Sequence, residues 1–281
     1  MKAAVFSLIA LLAGTVLAED LKPDRTVPYK ETPQGELKLH IFNPKGLKKD
    51  QERPAVIFFF GGGWNGGSPS QFYPQARHLA DRGMVAICAE YRTKKKHGTD
   101  PRACVMDAKS AMRWVRRRAG KLGIDPRRLA AGGGSAGGHL AAATATLSEF
   151  NEPDEDTAVS CVPNALILFN PVYDNSTAGY GHDRVKDFWA DFSPMHNLKK
   201  GTPPAIVFLG SEDHLIPVAT AEEFQARMKK NGDRSELYIY EKMGHGFFNP
   251  SEKKANRYKE TEAQMDQFLE SLGWLKKTQQ K

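Results

Sequence analysis

The sequence predicts an α/β fold with a mainly parallel central sheet and helices on both faces. Three observations carry this. Four unbroken apolar runs, residues 55–60, 84–89, 165–169 and 205–209, have the length of strands buried on both sides. Stretches of helical period fall between them, which argues βα alternation. A serine flanked by glycines, Gly133-Gly134-Ser135-Ala136-Gly137, stands between a short apolar run and a helix-forming run. That is the pattern of a sharp strand-to-helix turn that exposes the serine hydroxyl.

The elements follow in order. Lys2, an apolar run from Ala3 to Leu12 and the small residues up to Ala18 read as an export leader over 1–18, cut after Ala18. The run is too short to span a bilayer. No cysteine follows it to carry a lipid, and no later segment is apolar enough for a membrane anchor. Residues 19–281 have the size of a single α/β domain. Leu37, Leu39 and Ile41 alternate along Glu36 to Phe42, as in a half-buried strand. Asp100-Pro101 starts a helix whose Val105, Ala108, Met112 and Val115 recur at helical spacing. Residues 128–131 form a short strand before the glycines, and 139–145 are rich in helix formers. Ala221, Phe224 and Met228 make a helical stripe ending at Asn231-Gly232, a C-cap signal. Residues 235–240 close the strand set, and Tyr258, Met265, Phe268, Leu269 and Leu272 line a last helix. Residues 173–200 break the rhythm: they are polar, with aromatics at Tyr180, Phe188, Trp189 and Phe192. They read as a small cap-like excursion over the edge of the sheet. Residues 276–281 read as a frayed end.

The formal charge is +7, with basic residues clustered in Lys94-Lys95-Lys96, Arg116-Arg117-Arg118 and Lys199-Lys200. No aromatics are interleaved with them, so they read as solvated faces, with no nucleic-acid partner expected. An acidic substrate is the weaker reading. Of the three cysteines, Cys88 lies in an apolar run and reads as a buried thiol. In an oxidising compartment that leaves Cys104 with Cys161 as the expected bridge. No spacing of Cys, His and carboxylates suggests a metal site.

A serine hydroxyl needs a base, and the base needs an acid to fix its tautomer. In an open parallel sheet these groups follow the carboxyl ends of strands, in the order Ser, acid, His. Ser135 is the expected nucleophile. Asp213, in Gly210-Ser211-Glu212-Asp213, directly follows a strand and is the expected acid, ahead of Glu212 and Asp174. Its alternative role is capping the helix that follows. His245, between Gly244 and Gly246 after the last strand, is the expected base, the alternative being a surface loop histidine. His139 reads as a structural support of the turn, while His182, His196 and His214 lie in loops. The oxyanion formed on attack needs fixed donors. The N–H groups of Gly62, Gly63 and Ala136 are the expected ones. A phosphate loop would want a lysine after the glycines 61–63, where Trp64 stands. Trp64, Tyr173 and Trp189 are expected to line the substrate pocket.

Together these residues resemble the α/β-hydrolase superfamily, and within it esterases with an H-G-G-G oxyanion loop, especially secreted acetyl esterases acting on carbohydrates. The similarity extends to Glu90-Tyr91-Arg92, Asp125-Pro126-Arg127-Arg128 and Ser193-Pro194. The chain departs from the motif at Phe60, which stands where those esterases carry histidine. The resemblance implies an α/β-hydrolase fold, no cofactor and a nucleophile, acid and base at Ser135, Asp213 and His245. It implies a secreted ester hydrolase removing short acyl groups from small-molecule or oligosaccharide esters. Three other readings stand beside it. An oligopeptidase or aminopeptidase would need an acidic residue for the peptide amine, with Glu149, Glu152 and Asp154 as candidates. A lipase would want a more apolar cap. A non-catalytic binding protein on the same scaffold would be expected to lack a member of the triad.

Overall fold

The computed structural model describes residues 21–48, 51–251 and 255–277. The expected leader over 1–18 and the last residues, 278–281, lie outside the described residues. Eight strands form one sheet in the order β1-β2-β4-β3-β5-β6-β7-β8. They are β1 Arg25–Thr32, β2 Gly35–Phe42, β3 Arg53–Phe59, β4 Val85–Ala89, β5 Ile124–Gly134, β6 Ala165–Phe169, β7 Ala205–Gly210 and β8 Ser235–Tyr240. β1 and β2 pair antiparallel, as do β2 and β4. Every pairing from β4 onward is parallel.

The apolar runs become central strands because each side chain has a core to enter. Along β3, Ala55, Ile57 and Phe59 join the cluster on one face, while Val56 and Phe58 join the other. Two short helices, α2 (Lys94–His97) and α4 (Ala119–Leu122), flank α3 (Pro101–Arg117) in the chain, and the first face is covered by α3, α5 (Ala136–Thr146) and α8 (Val218–Lys230) through residues such as Met112, Leu140 and Phe224. The second is covered by α1 (Tyr73–Asp81) and α9 (Ala255–Ser271), through Leu79 and Phe268 among others. Asp100 caps α3 by accepting from the Arg102 N–H, with Pro101 in the first turn.

Several elements differ from expectation. β1 escapes a reading of periodicity because Pro28 sits inside it, at the shift in its register with β2. An edge strand tolerates proline there. α1 buries Ala76, Leu79 and Ala80, a stripe too rich in alanine to stand out. β5 extends from Ile124 to Gly134 rather than over 128–131. The expected bridge between Cys104 and Cys161 is not formed: both thiols are free and buried. Cys104 Sγ lies 3.1 Å from the Arg92 carbonyl, and Cys161 Sγ 3.6 Å from that of Thr144. The basic cluster on α3 is also not a plain solvated face. Arg116 donates to the Ser160 and Val162 carbonyls and so ties down the chain leading to β6.

Candidate active site

Five neighbouring parallel strands deliver one residue group each to the same edge of the sheet. β3 runs into the glycines 61–63, β5 into Ser135, β6 into Asn170, β7 into Asp213 and β8 into His245. This is the edge beyond the strand carboxyl ends where open α/β sheets place ligands.

Ser135 has φ 55° and ψ −121°, a conformation that costs energy for a residue with a Cβ. Packing enforces it. The Ser135 N–H donates to the Phe169 carbonyl at 3.0 Å, and its carbonyl accepts from His139 and Val172. Gly137 must be glycine, because a Cβ there would stand 2.0 Å from the Phe59 carbonyl oxygen. The helix following β5 therefore starts hard against β3, and the serine is pushed outward.

His245 joins Ser135 and Asp213. Its Nε2 lies 2.9 Å from Ser135 Oγ and its Nδ1 2.8 Å from Asp213 Oδ2. The Asp213 side chain has no exposed surface. Its Oδ1 accepts from the Leu215 and Ile216 N–H groups at 2.9 and 3.0 Å. Asp213 thus also organises its own turn, although the helix that follows begins only at Val218. A carboxylate beside Nδ1 holds the proton there and leaves Nε2 free to accept the hydroxyl proton. Asp174 and Glu212 do not reach the imidazole: Asp174 accepts from the Ser176 N–H, and Glu212 is exposed on the loop.

The glycine loop packs beside the serine. A Cβ built on Gly61 would sit 3.4 Å from Ser135 Cβ. Gly62 has φ 126°, open only to glycine, and its carbonyl accepts from Asn65 and Gly66 to close the turn. Gln71 Oε1 accepts from the Gly61 N–H at 2.6 Å, Tyr91 donates to the Phe60 carbonyl at 2.7 Å, and Arg184 donates to the Gly63 carbonyl at 2.7 Å. Phe60 stacks on Tyr91 at 4.0 Å. An aromatic stack therefore holds the loop at the position where the resemblance expects histidine. Among the described residues, the amides of Gly62, Gly63 and Ala136 have no hydrogen-bond acceptor. Tyr91, Gln71 and Arg184 were not singled out for this loop by any motif.

The expected pocket residues divide. Tyr173 is fully buried and stacks on Phe224 at 4.4 Å, so it belongs to the core and does not line a pocket. Trp64 is 1% exposed and wedged against His139, Tyr180 and Phe192. Its indole seats the 173–200 segment, although the residue also borders a cavity of about 450 Å³ shared with Gly63, Asn65, Lys94, Asp100 and Arg184. Trp189 is half-buried, between His182 and His196. The 173–200 segment itself holds α6 (His182–Val185), α7 (Trp189–Phe192) and a 3-10 turn, Pro194–Asn197. His139 is a support: its Nε2 donates to the Phe192 carbonyl at 2.8 Å, and burial pulls its imidazole down to about 3, so it is neutral.

Known proteins resemble the chain over most of its length. The family profile BD-FAE matches residues 39–165. That of the Dienelactone hydrolase family matches residues 171–279. Esterase LipC of Mycobacterium tuberculosis is 30% identical, over 85% of this chain and 69% of its own length. Esterase LipQ of the same organism is 29% identical, over 75% of this chain and 54% of its own. The chain thus spans between half and about 70% of these two relatives. The propionate-bound structure of an esterase from Thermogutta terrifontis, Est2, superposes with a TM-score of 0.88 at 41% identity, covering 92% of this chain and 98% of that one. By fold, by sequence and by these relatives, the chain belongs to the carboxylesterases of the α/β-hydrolase fold, enzymes that hydrolyse ester bonds.

Proposed function

We propose that this carboxylesterase is an exported serine esterase that removes short acyl groups, acetyl foremost, from carbohydrate esters. The observation that carries the chemistry is the unbroken line from Asp213 Oδ2 through His245 to Ser135 Oγ, with contacts of 2.8 and 2.9 Å. His245 Nε2 takes the proton of Ser135 as Oγ attacks the ester carbonyl. Asp213 steadies the imidazolium. The Gly62, Gly63 and Ala136 amides receive the oxyanion. His245 then protonates the departing alcohol, leaving an acyl group on Ser135. Water, activated by the same imidazole, releases it as the carboxylic acid.

The short-acyl preference is supported by relatives of known structure: Thermogutta terrifontis Est2 has been solved with propionate and with butyrate bound. The carbohydrate alcohol rests on the resemblance of the motifs and on the leader-like residues 1–18, which suit an extracellular polymer. The 173–200 segment serves as a small cap seated on Trp64. A peptidase role is disfavoured because Glu152, a candidate for holding a peptide amine, already pairs with Lys30 and Arg92. A substrate panel tests the reading. Acetylated xylan and p-nitrophenyl acetate should be hydrolysed fastest, longer p-nitrophenyl esters more slowly, and aminoacyl amides not at all. Preference for aminoacyl amides or long-chain esters would overturn the substrate assignment.

A further inference from the structure

Asn170 is the residue directly after β6, and no step of the mechanism above uses it. It is fully buried, with φ 32°, a region that non-glycine residues enter at a cost. Its own N–H donates to the Phe208 carbonyl at 2.6 Å, which fixes the backbone. Its side chain reaches the loop that carries His245 at two points. Oδ1 accepts from the Gly246 N–H at 3.2 Å, and Nδ2 lies 3.4 Å from His245 Nε2. The Gly246 amide needs an acceptor, so the amide oxygen must face it. The group turned toward Nε2 is then the NH₂, a donor.

We propose that Asn170 is a positioning residue for His245. It aims the imidazole at Ser135 and keeps Nε2 in its proton-accepting form, because a donor beside Nε2 opposes a proton already bound there. Asp213 Oδ2 faces the ring at Nδ1 from the loop after β7, and Ser135 Oγ faces it at Nε2 from the end of β5. Among the described residues, Asp213 is the one charged group within ion-pair distance of the imidazole. The donor at Asn170 is thus the neutral counterpart, at the opposite nitrogen, of the carboxylate at Asp213. This inference rests on the esterase reading.

The test compares the wild type, N170A and N170D on p-nitrophenyl acetate across the pH range in which the wild type stays folded. N170A removes both contacts. Its kcat should fall by about tenfold to 100-fold, with KM within about twofold, since a misaimed base slows chemistry more than binding. N170D keeps an acceptor for Gly246 but turns a carboxylate oxygen toward Nε2, which favours a proton on the ring. The acid-side limb of its kcat profile should move up by about one pH unit or more, with activity recovering in alkali. N170A removes the donor as well, so its acid-side limb should also move up, by a smaller amount, whereas an Asn170 that only braced the loop would lower the N170A kcat and leave that limb in place. Should N170D fail to fold, N170S, which is smaller and still polar, should give a kcat between those of N170A and the wild type. An N170A kcat within about twofold of wild type, an N170D profile that overlays the wild-type one, or full wild-type kcat in N170S would overturn the proposal. A wild type without esterase activity would instead sink the esterase reading itself, so the two failures are distinct.

Discussion

Asp107 and Asp213 are both buried aspartates at the heart of polar clusters, yet one braces the fold and the other faces the proposed nucleophile. Asp107 accepts from Lys30 Nζ at 2.6 Å, from the Arg92 main-chain N–H at 2.8 Å and from Arg92 Nη2 at 2.8 Å. The same Lys30 and Arg92 also pair with Glu152. Burial pushes the Glu152 carboxyl up, but these two cations outweigh it and hold the group below its usual range. The cations of that cluster are an ammonium and a guanidinium, and among the described residues no imidazole joins them. Asp213 spends one oxygen on two backbone N–H groups and gives the other to an imidazole. The imidazole is half-buried, and its second nitrogen meets a hydroxyl. Reactivity thus comes from the titratable link, not from the buried carboxylate: a saturated cluster stabilises, and a cluster ending in an imidazole and a hydroxyl can move a proton.

That contrast can be broken at either aspartate. The largest effect is expected at Asp213. D213N should keep the fold and lower turnover of p-nitrophenyl acetate on the order of 10⁴-fold, because the imidazole loses its correct tautomer. D174N serves as the control and should stay close to wild type, since Asp174 holds the Ser176 turn. A reversed ranking in steady-state kinetics would reassign the acid. The smaller effect on catalysis, and the larger on stability, belongs to Asp107. D107N leaves Lys30 and Arg92 poorly matched, and denaturant unfolding should show a loss of about 3–5 kcal/mol, as for other broken buried ion pairs. The kcat/KM per folded molecule should fall far less than in D213N, because Asp107 bonds Lys30 and Arg92 and not Ser135, His245 or the glycine loop. Wild-type stability with lost turnover in D107N would erase the distinction between the two clusters.

Much of this organisation was legible in the residues. Asp213 follows an apolar run with the length of a buried strand, Ser135 sits in the glycine turn after β5, His245 follows the half-buried edge strand β8, and the order of the three along the chain selects them. β1 was not legible, because Pro28 lies inside an edge strand that buries only Tyr29. The aromatic residues were ambiguous for a different reason. Trp64 and Tyr173 are as suited to a core as to a pocket, and only the tertiary packing against Phe192 and Phe224 separates the two. The cysteines misled because pairing depends on direction: Cys104 and Cys161 turn their thiols to different carbonyls. Gln71, Asn170 and Arg184 carry no motif, and the similarity at Glu90-Tyr91-Arg92 says nothing of the hold that Tyr91 has on the glycine loop. Each acts through contacts made across ten or more residues of chain, as Arg184 does at Gly63, and no local pattern encodes such contacts.

If Ser135 is a nucleophile activated by His245, paraoxon, which phosphorylates activated serines, should label it, with the labelled peptide identified by mass spectrometry. One phosphoryl group per folded molecule is expected, carried on Ser135, absent in S135A and formed far more slowly in H245A. Labelling at another residue, or unchanged labelling in S135A, would contradict that role for Ser135.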